Sequence, residues 1–151
     1  LGYITVEEYF ETNKPLINVG LTKLIPWKEI EKVGKSVSGI GSYTTSFTIP
    51  NNWNKHHGVY LKLGSLNGGT ASVYVNGDKA GAIDITNPSI DISKLIVKGK
   101  NTLEIKVTSN LNNRLWGFLP AQEYGLTGEA TLMTYEKFEL PTDVLKDNKS
   151  K

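Results

Sequence analysis

The chain has 151 residues, with 17 Lys and Arg against 15 Asp and Glu, and a net charge of +2 too small to mark a polyanionic partner such as nucleic acid. Hydrophobic residues make up 38% and charged residues 21%, which excludes a disordered chain, and no apolar run approaches the roughly 18 residues of a membrane span. Cysteine is absent, so disulfides, thiolate metal sites and thiol catalysis are excluded. This length suits one domain, burying roughly 70% of its unfolded surface in one core. The first residue is Leu1, as in a piece excised or processed from something larger.

In chain order, Val6 to Thr12 and Trp27 to Val33 can each hold about two helical turns, the second opened by Pro26. Ser42 to Ile49 alternates, with Tyr43, Thr45, Phe47 and Ile49 on one face, until Pro50-Asn51-Asn52 ends it. Val59, Leu61 and Leu63 point inward from the next strand, and Ala71, Val73 and Val75 from the one after. Asn76-Gly77 follows at once. That pair supplies positive φ at both central residues of a tight turn, which fixes a β-hairpin.

Beyond the hairpin, Asp91 to Ile96 allows one helical turn, and Lys98-Gly99-Lys100-Asn101 turns the chain into Thr102 to Thr108. There Leu103, Ile105 and Val107 face a core while Glu104 and Lys106 face water. Ala130 to Tyr135 is the last strand, and Lys146 to Lys151 reads as a solvated linker. At least six short strands separated by turns predict an all-β antiparallel β-sandwich, since each inward face needs a second sheet. The expected layout is a lead-in segment over residues 1–24 packing on the sandwich, the sandwich over 25–138, and a tail over 139–151.

No catalytic constellation stands out. His56 and His57 are adjacent before a strand, a spacing that points their rings apart and fits loop histidines. Ser38-Gly39-Ile40-Gly41 lacks the pattern of a nucleophile elbow and no helix follows it. Asp78, Asp84 and Asp91 fall at turn and cap positions. Paired carboxylates for glycoside hydrolysis are still open to the sequence.

Aromatic side chains are more telling, because pyranose C–H faces stack on Trp and Tyr. Trp27 reads as core. Trp53 lies in the polar loop Asn51 to Lys55, either covering the end of the sandwich or offering a stacking face. Trp116 lies in a long excursion after Val107, with Asn113 and Arg114 before it and Gln122, Glu123 and Tyr124 after it. Long loops on rigid scaffolds tend to carry binding function, and this one collects amides, a guanidinium and aromatic rings. The plainer alternative is an Arg-Asn cluster that pins an irregular crossover.

In order along the chain come Trp27, Ser38-Gly39-x-Gly41-x-Tyr43 leading to Phe47, Val59-x-Leu61-x-Leu63-Gly64 and Val73-x-Val75-Asn76-Gly77. Asp91-Ile92-Ser93, Gly99-x-Asn101-x-Leu103-x-Ile105-x-Val107, Asn113-Arg114 and Tyr124-Gly125-Leu126-x-Gly128 complete the series. This succession, over about residues 25 to 136, resembles the galactose-binding-like jelly-roll domains of glycoside hydrolases, of the family 2 sugar-binding type. Its closing motif is most similar to the copy at the C-terminal end of family 106 α-L-rhamnosidase-type enzymes.

The resemblance implies a non-catalytic carbohydrate-binding or ancillary domain of a larger, secreted, cell-surface or periplasmic bacterial glycoside hydrolase. Catalytic residues would lie outside this chain. Expected partners are a carbohydrate and the catalytic domain of the same polypeptide, with no nucleic acid or membrane, and a monomeric state. The expected sugar-binding set is Trp116, Asn113, Arg114, Gln122 and Tyr124, with Trp53 second. No cofactor is expected beyond a structural Ca²⁺ of the kind many such domains hold. The competing expectation is a scaffold domain that binds no sugar, with Trp116 and Tyr124 buried and an apolar face left open.

Overall fold

A computed structural model of the chain describes residues 2–8, 17–21, 23–67, 69–115 and 119–140. It is an antiparallel β-sandwich. One layer is a six-stranded sheet of β1 (Gly2–Glu8), β2 (Ile17–Leu21), β3 (Gly39–Ile49), β6 (Gly69–Val75), β7 (Asp78–Ile83) and β9 (Gly99–Ser109). Its order is β2-β1-β3-β9-β6-β7. The rest is a three-stranded sheet in the order β11 (Thr131–Glu136), β4 (His57–Lys62), β8 (Ser89–Asp91), and a pair, β10 (Gly125–Thr127) with β5 (Ser65–Asn67).

The two smaller sheets are arms of one bent ladder. Leu63 and Gly64 separate β4 from β5, whereas Gly128, Glu129 and Ala130 separate β10 from β11, so the pairing slips by one residue at the bend. Gly64 is required there, because a Cβ on it would lie 2.1 Å from the Thr127 carbonyl oxygen.

The alternation read from the sequence is the alternation of burial. Val59, Leu61 and Leu63 from one layer meet Ala71, Val73, Val75, Leu103, Ile105, Val107 and Tyr43 from the other, all buried in one cluster. Asn76 takes φ +53° and Gly77 +89°, closing the β6–β7 hairpin with Val75 opposite Asp78.

Two expectations need correction. Val6 to Glu8 are not helical but continue β1, whose backbone pairs with Gly41 to Gly39 of β3, while Val6 also pairs with Ile17 of β2; residues 9–12 lie outside the described residues. Ladder partners on both sides override a weak helical preference. The segment before residue 25 accordingly contributes two strands to the main sheet and does not merely lie upon it. At Trp27, the helical turn is a 3-10 turn (Trp27–Glu29), after which the amides of Val33 and Gly34 both return to the Ile30 carbonyl. Residues 92–95 make the single turn expected after Asp91, with Leu95 N–H donating to the Ile92 carbonyl at 3.0 Å.

Candidate functional site

The loop after β9 begins at Asn110 and includes one helical turn, α1 (Asn112–Leu115). Asn110 Oδ1 accepts the Asn112 amide at 2.9 Å and also the Tyr124 hydroxyl. Asn113 is buried, and its amide works in both directions on one residue. Nδ2 donates to the Gln122 carbonyl at 3.1 Å, and Oδ1 accepts the Gln122 N–H at 2.8 Å. Two ends of the loop are thereby clamped.

Tyr124 is wholly buried, its ring edge-on to Trp27 with centroids 6.4 Å apart, and burial pushes its hydroxyl above the usual tyrosine range. Asn113 and Tyr124 therefore fasten the loop, and neither ring face nor amide is free for a sugar. Gln122 keeps its side chain exposed, with Glu123 beside it bound to Lys28 at 2.9 Å. Arg114 lies in α1, and Trp116 falls outside the described residues. Leu115 and Leu119 are exposed apolar side chains of this loop.

Trp53 is half-buried against the core, its ring 4.9 Å from that of His57. His57 Nδ1 accepts the Asn54 amide at 3.3 Å, while Nε2 lies 3.9 Å from Glu136 Oε1.

The motif residues that carried the resemblance build an internal latch. Tyr43's hydroxyl accepts the Trp27 indole N–H at 2.8 Å and the Leu126 amide at 3.0 Å, while Trp27 N–H donates to the Tyr124 carbonyl at 2.8 Å. Burial raises the Tyr43 hydroxyl above its ordinary value, with the two donors pulling the other way. Gly41 and Gly125 lie hard against the indole of Trp27.

A second surface escaped the sequence. On the outer face of the three-stranded sheet, Tyr60 stands opposite both Met133 of β11 and Asp91 of β8. Tyr135 stands opposite Gly58, and its ring lies where a Gly58 side chain would be, 2.1 Å from the position of a Cβ. Tyr60 and Tyr135 pack with centroids 5.1 Å apart at 36°, and Lys137 Nζ lies 5.6 Å over the Tyr135 ring.

The Tyr135 hydroxyl donates to Asp91 Oδ2 at 2.6 Å. Ser93 N–H donates to Oδ1 at 2.8 Å, and the Ser93 hydroxyl joins the same oxygen. Partial desolvation pushes the Asp91 carboxyl up, but the Ser93 and Tyr135 hydrogen bonds and the Lys137 charge outweigh it and hold it below the usual carboxylate range. Donation to Asp91 is what raises Tyr135. Tyr60 is 41% exposed and Met133 49%, and the segment following β11 adds Phe138 at 81% and Leu140 at 73%.

Asp84 and Asp91 both cap turns, Asp84 taking the Thr86 amide at 2.8 Å. Among the described residues, no three His, Asp or Glu side chains gather as a metal ion requires.

A family described as glycosyl hydrolase 2 galactose-binding domain-like matches residues 38–117, just over half of the chain. Among solved structures, a rhamnosidase from Novosphingobium sp. PP1Y is similar over 89% of this chain, with 28% identity and a TM-score of 0.72. An FMN-binding β-glucuronidase from Facaelibacterium prausnitzii is similar over 88%, with 19% identity and a TM-score of 0.54. A calcium-binding mutant of Bacteroides uniformis β-glucuronidase 2 is similar over 87%, with 18% identity and a TM-score of 0.52. The last two likenesses speak for the fold. This chain spans only 14%, 21% and 17% of those three proteins respectively. A search of curated proteins finds no match.

Proposed function

The chain belongs to the glycosyl hydrolase 2 galactose-binding domain-like family, and from that membership we propose that it is a non-catalytic accessory domain of a larger glycoside hydrolase. It seats against the rest of that polypeptide through the outer face of β11, β4 and β8. The observation that carries this reading is the exposure of Tyr60 and Met133, opposite one another on that face, with exposed Phe138 and Leu140 in the segment that follows β11. Aromatic residues and methionine are the types enriched where proteins meet, and single exposed apolar residues are common but clusters of them mark contact surfaces. The Asn113 amide of the loop after β9, by contrast, is engaged within the loop itself.

One observation favours saccharide contact as a second reading. Asp91 holds a carboxylate fixed at the rim of the Tyr60–Tyr135 pair, the combination of a planar apolar surface and an oriented acceptor that a pyranose ring uses.

Affinity electrophoresis of the chain against plant and host polysaccharides separates the two, with Tyr60→Ala, Trp53→Ala and Trp116→Ala beside it. Retention lost in Tyr60→Ala supports a sugar on the tyrosine face, and retention lost only in Trp116→Ala places it on the loop. No retention of any variant or of the wild type is the result expected for a docking domain.

A further inference from the structure

The Asn76 that closes the β6–β7 hairpin is followed by Gly77, whose Cα faces open space. With no side chain on Gly77 to hinder it, the Gly77 backbone nitrogen is placed along the chain where attack on Asn76 Cγ closes a five-membered ring. We propose that Asn76-Gly77 is a latent succinimide-forming modification site, held closed by the hydrogen bonds of the Asn76 amide.

The chemistry needs no co-reactant but water. Deprotonated Gly77 nitrogen attacks Asn76 Cγ, the N–Cγ bond forms, the Cγ–Nδ2 bond breaks, and Nδ2 leaves as ammonia. Water then opens the five-membered imide at either carbonyl. One opening gives aspartate, the other isoaspartate with an extra carbon in the main chain.

In the fold, the Asn76 amide is not free to turn toward Gly77. Nδ2 donates to the Leu95 carbonyl at 3.0 Å and to Asn101 Oδ1 at 2.9 Å, and Oδ1 accepts the Thr102 N–H at 3.0 Å. Asn101 is the buried half of this clasp. Its Oδ1 also accepts Val97 N–H at 2.8 Å, and its Nδ2 donates to the carbonyls of Val97 at 2.7 Å and Gly99 at 2.9 Å. Every donor and acceptor of the Asn101 amide is used. Rotating Asn76 into attack breaks three bonds that lock the turn before β9.

Conversion is one-way in its structural effect. A carboxylate in place of the Asn76 amide has no proton to give, and it faces two acceptors, the Leu95 carbonyl and Asn101 Oδ1. Isoaspartate also lengthens a hairpin turn that accommodates two residues. The turn from Leu95 to Gly99 is released from the hairpin in either case.

The chain contains its own reference, because Asn67 is also followed by glycine. Among the described residues its side chain is held by hydroxyls, donating to Thr127 Oγ1 at 3.0 Å and accepting from Ser65 Oγ at 2.8 Å. Asn67 should open more readily.

The test is peptide mapping by mass spectrometry of the whole chain aged at mildly alkaline pH, with and without urea. In urea, the two sites should convert at similar rates. In the native chain Asn76 should be slower than in urea by at least about tenfold and slower than Asn67, and Asn101→Ala should speed Asn76 by about tenfold with Asn67 unchanged. Hydrogen exchange of the wild-type Thr102 N–H gives a measurement independent of any variant's folding. Its protection should match that of Asn76, since one opening frees both. Native conversion of Asn76 at the rate found in urea, or protection of Asn76 unrelated to that of Thr102, would overturn the proposal. Unchanged conversion in folded Asn101→Ala would do the same.

Discussion

The indole N–H of Trp27 donates to the hydroxyl of Tyr43 at 2.8 Å, and the same oxygen accepts the amide of Leu126 at 3.0 Å. One buried atom thus joins the turn before β3, β3 itself and β10. Tyr43→Phe leaves two buried donors without a partner at almost unchanged volume. The expected loss is about 2–6 kcal/mol of unfolding free energy, at about 1–3 kcal/mol for each orphaned group. Urea denaturation with an unchanged m-value checks it, and Tyr60→Phe on the exposed face should stay within about 0.5 kcal/mol of wild type.

Glycines against Trp27 should tolerate no side chain. A Cβ on Gly41 would lie 2.5 Å from Cζ2 of the indole. On Gly125 it would lie 2.6 Å from Cδ1 and 2.8 Å from the Tyr43 hydroxyl, at φ +109°. Gly41→Ala is expected to lose about 1–3 kcal/mol by overpacking, and Gly125→Ala more, because backbone strain adds to the clash. Gly77→Ala at φ +89° meets open space and should lose only about 1 kcal/mol. Thermal melts should show the largest drop for Gly125→Ala, a smaller one for Gly41→Ala and the smallest for Gly77→Ala.

The acid limb of stability should report Asp91 and Asp84. Both carboxyls titrate below their ordinary value: for Asp84 the Thr86 hydroxyl is the main cause, and for Asp91 hydrogen bonds from Ser93 and Tyr135 outweigh partial desolvation. A depressed folded value stabilises above the unfolded carboxylate value, about 3.9, and that contribution is lost as pH falls through the folded value. Tyr135 shifts the other way, so its contribution is present below its ordinary value and lost as pH rises through the raised one. Tyr135→Phe removes a donor from Asp91, and an NMR titration of the Asp91 carboxyl should then move upward. An unmoved titration would deny the hydroxyl its role.

Much of the sandwich was legible because its signals are local. The period-two runs Val59 to Leu63, Ala71 to Val75 and Leu103 to Val107 face the core as read, and Asn76-Gly77 makes the turn its φ requirement predicts. The two lead-in strands were not legible, since β1 is specified by partners on both sides and not by its own short pattern. In the loop, a buried Tyr124 and an exposed one read alike in sequence, and only the Asn113–Gln122 clamp shows which way the chain turns. The tyrosine face was hidden for a different reason. Tyr60 and Tyr135 are far apart in sequence and meet only through the register that sets Tyr60 opposite Met133 and Gly58 opposite Tyr135. Gly58 before Tyr60 was the available sign that something lies close over β4.

Docking through the tyrosine face is tested most directly by Met133, the only methionine of the chain. It stands 49% exposed opposite Tyr60, where peroxide reaches a thioether freely. Its oxidation rate should be measured by mass spectrometry in the isolated 151-residue chain and again within the longer polypeptide. Sulfoxide should form rapidly in the isolated chain, with strong protection in the longer protein if this face is docked. Equal rates in the two would contradict it.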